Sequence, residues 1–346
     1  MDEITLFTGK SEDMPKKYLE QFFALRQQEY EEKTGMLPPS IEYFRNSWKL
    51  GTFTWEEVRR TFMVNKDDQL IGIGYVSWHT KYDHLDKAWF GIHITPSERR
   101  KGNGSKMLHS LIKQLTSQIL VITTDASLGT AGEYFLRNLK RDSNYEEQIV
   151  VANLEEHKID EIEVEAIKQK QHASEKGYRI EFFENDGAGN LVEYGKYVRM
   201  VEQLWNDMPR EELTYEDDVL TEEKLRGIYS HNIKRGLHYY GYLVIHDKTD
   251  EPVGYTTVAI NKYQPWVAWQ DDTGVIHEHR GNGLGLALKY QSLLKLLIDT
   301  KAKFWRTGNA ASNVHMARIN KKLGHKLFLT DLVFELDVSE LRKPEN

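Results

Sequence analysis

The chain of 346 residues is 40% hydrophobic and 29% charged, the balance of a globular protein, and is long enough for two cores of roughly 150 residues each. Its net charge of −7 argues against nucleic acid as the main partner and suits a cationic amine substrate. The absence of cysteine excludes a disulfide framework, a thiolate metal site and covalent acyl-enzyme chemistry through a thiol.

The first predicted element is a strand at Ile4-Thr5-Leu6-Phe7, and a helical stretch follows through Tyr18, Leu19, Phe22, Phe23 and Leu25. A hairpin is expected around Phe62-Met63-Val64 and Leu70–Val76, with its turn at Asp67-Asp68. The apolar run Trp89–Ile94 then leads into a glycine-rich turn and a helix carrying Met107, Leu108, Leu111, Ile112 and Leu115. A strand at Ile119–Ile122, a short helix from Gly132 to Leu139 and a strand at Gln148–Val151 close a first domain, 1–154. A charged helical connector is expected over 155–175, and a second domain over 176–346. The second domain repeats the plan: a strand at Arg179–Phe183, helices at Tyr197–Trp205 and Glu222–Lys234, and strands at Tyr240–Ile245 and Val253–Ile260. A bulged strand at Trp266–Ile276, a second glycine turn, a strand at Lys303–Thr307, a helix at Ser312–Leu323 and a strand at Leu332–Leu336 complete it. Strands interleaved with helices make the fold α/β with mixed sheets. No apolar stretch approaches a membrane span, and the residues after Met1 lack a basic-then-apolar leader pattern, so the expectation is a cytoplasmic protein without a membrane partner.

The two turns carry the chemistry. Arg99-Arg100-Lys101-Gly102-Asn103-Gly104 and Arg280-Gly281-Asn282-Gly283-Leu284-Gly285 both read Arg-x-x-Gly-x-Gly, with Gly102 and Gly283 181 residues apart. Each follows a strand and opens a helix. Glycine lets the backbone approach a ligand, and the helix presents unpaired N–H groups and its positive dipole end at the same place, which makes an anion site. Arg100, Lys101 and Arg280 are expected to add mobile positive charge. A P-loop is excluded because neither Gly104-Ser105-Lys106 nor Gly285-Leu286-Ala287 ends in Gly-Lys-Ser/Thr, and the dinucleotide fingerprint fails at its third glycine.

Both turns resemble the acyl-CoA turn of the GCN5-related N-acetyltransferases (GNAT). The second half is similar to tandem GNAT proteins, the group that includes mycothiol synthase, over Thr273-x-Val275-x-x-x-His279-Arg280-Gly281-x-Gly283-Leu284-Gly285-x-Ala287-Leu288-Lys289. The pattern continues as Thr307-x-Asn309-Ala310-x-x-Asn313-x-x-Met316-x-x-Ile319-Asn320-x-x-Leu323-Gly324. The first half carries a shorter motif and a divergent tail. The resemblance implies two GNAT domains, each a mixed twisted sheet flanked by helices, with acetyl-CoA as acyl donor and no metal.

It also implies a strand that splays from its neighbour and pairs with the pantetheine arm, through Val275 and Ile276 in the second half or Ile92, His93 and Ile94 in the first. Pyrophosphate would lie on Gly281, Asn282, Gly283, Leu284 and Gly285, or on Arg100, Lys101, Gly102, Asn103, Gly104 and Ser105. Asn309 and Asn313 could bond pantetheine amides; the plainer role for Asn309 is a helix cap, and for Asn320 buried polar packing. His93 reads as a satisfied structural histidine. Trp266 and Trp269 are candidate acceptor-pocket walls.

Acyl transfer to an amine needs a base, because the amine arrives protonated. Asp271 and Asp272 are the candidates, their plain alternative being solvated carboxylates at a strand end. The family's acid, a tyrosine four residues before the glycine that closes the last helix, falls on Asn320 in the second half and on Leu136 in the first, with Tyr134 two residues earlier. Solvent, or a tyrosine such as Tyr263, remains for that role. His277-x-His279 alternates across a strand without a third ligand and is not read as a metal site. Two functions stand: an N-acetyltransferase acting on a small-molecule or peptide amine, and a CoA-binding protein without turnover.

Overall fold

The computed structural model describes residues 4–139, 142–184 and 194–342. In chain order its elements are β1 (Thr5–Gly9), α1 (Leu19–Thr34), α2 (Ile41–Leu50), β2 (Glu56–Val64), β3 (Leu70–His79), β4 (Lys87–Ile94), α3 (Asn103–Ile112), β5 (Val121–Ser127), α4 (Ala131–Asn138) and β6 (Tyr145–Asn153). They continue with α5 (Ile159–Glu175), β7 (Tyr178–Glu184), α6 (Tyr194–Asn206), α7 (Glu222–Lys234), β8 (Leu237–His246), β9 (Glu251–Asn261) and β10 (Val267–Val275). The last are α8 (Leu284–Asp299), β11 (Phe304–Ala310), α9 (Val314–Lys322), β12 (Lys326–Asp337) and α10 (Val338–Leu341). No helix among the described residues is long and apolar enough to cross a membrane.

The chain divides into two compact units. The first comprises Met1–Glu146, Arg210–Glu216 and Thr330–Asn346, and the second Glu147–Pro209 and Asp217–Leu329. In the first unit β1 to β4 pair antiparallel in succession, β4 pairs parallel with β5, and β5 pairs antiparallel with β12. In the second, β7 to β10 pair antiparallel, β10 pairs parallel with β11, and β11 pairs antiparallel with β6. The two mixed sheets share one plan, and the last strand of each comes from the other half of the sequence. This differs from the division expected at 154 and 176. β6 bonds Glu147–Asn153 to Phe304–Ala310 of β11, and β12 bonds Asp331–Asp337 to Val121–Ser127 of β5.

Helices cover both faces of each sheet. In the first unit Met107, Leu108, Leu111 and Ile112 of α3 pack on one face with Phe90, Ile122 and Phe334, while Phe22, Phe23 and Phe44 of α1 and α2 pack with Phe62 and Ile73 on the other. In the second, α6 and α7 cover one face through Val201, Leu204 and Leu225. The stretch expected to be a charged connector is a surface helix packed on the core through one small-residue stripe. α5 buries Ala166 and Ala173, and Gln291 of α8 donates to the Ala166 carbonyl at 2.8 Å. Small residues at a helix–helix contact allow close approach, so this stretch reads as polar while still packing. α2 had no counterpart in the sequence reading.

Candidate functional site

Each parallel strand pair bonds for three residues and then parts. β4 and β5 pair at Lys87↔Val121, Ala88↔Ile122 and Trp89↔Thr123. β10 and β11 pair at Val267↔Phe304, Ala268↔Trp305 and Trp269↔Arg306. Beyond Trp89 and Trp269 the first strand runs on to its glycine turn with one edge unpaired. The groups on that edge follow from antiparallel alternation. Thr95 N–H donates to Ile71 O at 2.9 Å, so the outward backbone groups belong to Ile92 and Ile94 rather than to His93. Ile276 N–H donates to Val253 O at 2.9 Å and its carbonyl accepts from His279, so Val275 and Thr273 face the opening and Ile276 has no backbone group to offer.

The turns close these slots alike. Arg99 Nε donates to Ile94 O and Arg280 Nε to Val275 O, both at 2.8 Å. Their guanidinium ends pair with Glu32 at 2.8 Å and Asp207 at 2.9 Å. The motif arginine therefore ties the turn to the strand end, which corrects the reading of Arg280 as a mobile charge. Lys101 is likewise paired, with Glu98 at 3.0 Å, whereas Arg100 is exposed.

Gly102 and Gly283 cap α3 and α8 in the left-handed conformation, with φ of 79° and 75°. The first intrahelical bonds run from Lys106 and Ala287, which leaves the amides of Gly102, Asn103, Gly104 and Ser105, and of Gly281, Asn282, Gly283, Leu284 and Gly285, without acceptors among the described residues. Asn103 and Asn282 each donate their Nδ2 inside their turns, to the carbonyls of Glu98 and His279 at 3.0 and 3.1 Å. Where the second turn has Gly281 at φ 82°, the first forces Arg100 to φ 64°. Left-handed backbone costs a side-chain-bearing residue about 1–2 kcal/mol. Arg100→Gly is expected to stabilise the protein by about 0.5–1 kcal/mol in thermal unfolding, after the glycine's own entropy cost.

Asp271 and Asp272 lie just beyond the divergence of β10 and β11. In a regular strand adjacent side chains point to opposite faces. The register with β9 shifts between Gln270 and Thr273, and this bulge turns both carboxylates to the α6/α7 face. Asp272 accepts from Tyr255 Oη at 2.7 Å and Trp205 Nε1 at 2.9 Å. Among the described residues Asp271 meets Thr257 Oγ1, at 3.5 Å. Burial of the carboxyl and the adjacent Asp272 charge push Asp271 up to about 7, and burial also raises Asp272 against the pull of its two donors. The Asp271 residue is nonetheless exposed, so its carboxyl exchanges protons with solvent and water weakens the burial that raises it.

Gln270 holds the bulge open. It is buried, and its Nε2 reaches Thr256 Oγ1 at 2.8 Å, Thr257 O at 2.6 Å and Asp272 O at 3.1 Å. Gln270→Leu is expected to cost about 1–3 kcal/mol by leaving buried carbonyl groups unpaired, read as a lower midpoint in denaturant unfolding.

Trp269 stands on the last paired rung, 38% exposed, with Arg306 over its ring at 4.2 Å. Trp266 buries an unpartnered Nε1. Trp205 and Tyr255 carry no motif and were not singled out in sequence; their signal exists only once α6 and β9 are placed over β10.

The two asparagines expected at pantetheine are used internally. Asn313 caps α9, its Oδ1 accepting from Met316 N–H at 3.1 Å. Asn309 is buried, donating to Ala310 O at 3.1 Å and accepting from Asn320 Nδ2 at 3.1 Å. Asn320 in turn accepts from Lys289 Nζ at 2.5 Å. At the acid positions Asn320 is thus core, Leu136 is buried in the first unit, and Tyr134 is exposed. Tyr263 lies in the loop before β10, at the opposite end of that strand from the glycine turn. His93 is buried, its Nε2 has no hydrogen-bond partner among the described residues, and burial lowers its pKa.

Lys289 is fully buried beside Trp305 with no carboxylate partner among the described residues, and burial lowers its pKa to about 7. The unfolded chain then holds a proton that the folded one lacks between pH 7 and the ordinary lysine value. Stability therefore rises with pH across that window. Between pH 7 and 9 the gain is expected to approach about 1.4 kcal/mol per pH unit and to vanish in Lys289→Met, measured by urea unfolding at each pH.

The acetyltransferase (GNAT) family model matches residues 19–137. That segment is similar to a GNAT domain. Over its whole length the chain has the tandem GNAT fold. A tandem GNAT protein from the clavulanic acid biosynthesis pathway is 18% identical with a TM-score of 0.74, covering 99% of this chain and 100% of that one. A GCN5-related N-acetyltransferase from Sphaerobacter thermophilus is 13% identical with a TM-score of 0.64, covering 97% and 96%. The glucosamine N-acetyltransferase region of a fungal multi-domain β-N-acetylglucosaminidase is 11% identical with a TM-score of 0.64, covering 97% of this chain and 38% of that one. No curated protein matches the sequence significantly. GNAT folds use acetyl-CoA as a substrate.

Proposed function

We propose that the protein is an acyl-CoA-dependent N-acyltransferase that moves acetyl from acetyl-CoA to an amine by direct attack in a ternary complex. The observation that carries the reading is the placement of Asp271 and Asp272 at the point where β10 leaves β11. From Val275 back to the divergence is five or six residues, ~17–20 Å of strand, the reach of an extended pantetheine arm. With pyrophosphate on the amides of Gly281–Gly285, the thioester ends beside the carboxylates.

Asp271 removes a proton from the ammonium, and the free amine attacks the thioester carbonyl. The tetrahedral intermediate gives up its second N–H proton to water and collapses as the C–S bond breaks and the CoA thiolate leaves. An alkyl thiol ionises near pH ~8.5, so water suffices to protonate the thiolate, and the acid positions held by Asn320 and Leu136 need no replacement. The anionic pair, walled by Trp205, Tyr255 and Trp269, suits a cationic small-molecule or peptide amine. The opposing reading, a CoA-binding protein without turnover, draws on those same missing tyrosines. A thiol-release assay with a panel of polyamines, aminoglycosides, amino acids and peptides decides: acceptor-dependent CoA release supports the enzyme, and acetyl-CoA binding without release for any amine overturns it.

A further inference from the structure

Residues Arg210–Glu216 follow α6 in sequence but belong to the first unit, where polar contacts to the buried side chains of Lys87 and Glu335 hold them as a strap. Lys87 is 2% exposed; its Nζ donates to Thr214 Oγ1 at 2.6 Å and pairs with Glu335 at 3.6 Å. Glu335 also accepts Thr214 N–H at 2.9 Å, and Glu212 N–H donates to Asn144 O at 3.1 Å. Arg210 bonds the carbonyls of Tyr215 and Glu216 at 3.1 and 2.9 Å, which stiffens the strap around Tyr215. The phenol sits on the last rung of the β4–β5 pair. Tyr215 Oη accepts from Trp89 Nε1 at 3.0 Å and donates to Thr123 Oγ1 at 3.4 Å, and its ring stacks on Trp89 at 6.3 Å and 11°. At the corresponding rung of the second unit Trp269 is 38% exposed and carries Arg306 over its ring.

We propose that Tyr215 closes the acyl end of the first unit's slot, so that this unit takes acetyl-CoA and excludes longer acyl chains. The inference rests on the reading of the parted strands as acyl-CoA sites. A pantetheine arm running from the turn past Ile94 and Ile92 brings its thioester to the Trp89–Thr123 rung. An acetyl methyl ends there. Each further methylene must displace a ring held by two hydrogen bonds, a stacked indole and an anchored strap, and a packed site of this kind does not yield by small increments.

The test uses the full chain with Gly283→Val blocking the second turn, titrated calorimetrically with free CoA, acetyl-CoA and hexanoyl-CoA. With Tyr215 present, hexanoyl-CoA is expected to bind at least about tenfold more weakly than acetyl-CoA. Tyr215→Ala erases that preference, Tyr215→Phe keeps it because the ring remains, and free CoA binds alike in all three. Tyr215→Leu replaces the alanine variant if the latter does not give a cooperative thermal transition. Equal binding of the two acyl-CoAs with Tyr215 present, or a preference that survives the small side chain, overturns the cap while leaving the CoA site standing. Loss of all free-CoA binding in the blocked protein, with the fold intact, overturns the reading of the slot itself and the cap with it.

Discussion

Asp271→Asn is expected to lower kcat for amine acylation by roughly 10²–10⁴-fold, the contribution of a positioned general base. A carboxyl raised to about 7 works only as the anion. The rate of the unaltered protein should therefore rise with pH through that value and level off above it, and the asparagine variant should lose this limb. Asp272→Asn acts differently. It removes the like charge that helps hold Asp271 up, so the limb should move to lower pH while much of the rate at high pH survives. Trp205 and Tyr255 lose their charged acceptor in the same variant, so weaker amine binding is expected alongside it. Steady-state profiles at saturating acetyl-CoA, over about pH 5.5 to 9, separate the two residues. An unchanged profile in Asp271→Asn would remove it from the chemistry.

The second large effect is expected at the glycine turn. Gly283→Val should weaken acetyl-CoA binding to the second unit by two orders of magnitude or more, about 3 kcal/mol. Two causes add. Valine is β-branched and disfavours the left-handed φ of 75° that caps α8. Its side chain would also stand where backbone N–H groups must meet a pyrophosphate. A Cβ at this position meets nothing closer than His172, at 3.5 Å, so the loss should be one of ligand approach and turn geometry rather than of core packing. Gly102→Val makes the parallel change in the first unit, where Arg100 already carries left-handed strain. The second unit should be the tighter site, because its turn reaches the same shape with glycine at both left-handed positions. Titration of acetyl-CoA into both variants tests the ranking, and abolished binding in Gly102→Val with intact binding in Gly283→Val would reverse it.

Much of this arrangement is local and was therefore legible in the chain. Strand, glycine turn and helix recur because an Arg-x-x-Gly-x-Gly turn needs left-handed backbone at fixed spacing, and only certain residues supply it. The helix at Glu222–Lys234 and the bulge in Trp266–Ile276 left marks in capping chemistry and in broken alternation. The roles of Asn309 and Asn313 were not legible, since a cap, a core bond and a ligand bond ask for the same side chain.

Strand partnership escaped the sequence altogether. β6 and β12 show the same alternation whichever sheet receives them, because a strand's pattern encodes which face is buried and not which neighbour it bonds. The Arg210–Glu216 strap has no periodicity, and its place depends on Lys87 and Glu335, each more than a hundred residues away. The sequence by itself determined the two glycine turns and the α/β elements around them, since those rest on φ preferences and periodicities spanning a few residues. Only the tertiary structure decided that Asp271 and Asp272 share a face with Tyr255 and Trp205, and that Tyr215 ends the other slot, because both depend on contacts between segments that nothing local brings together.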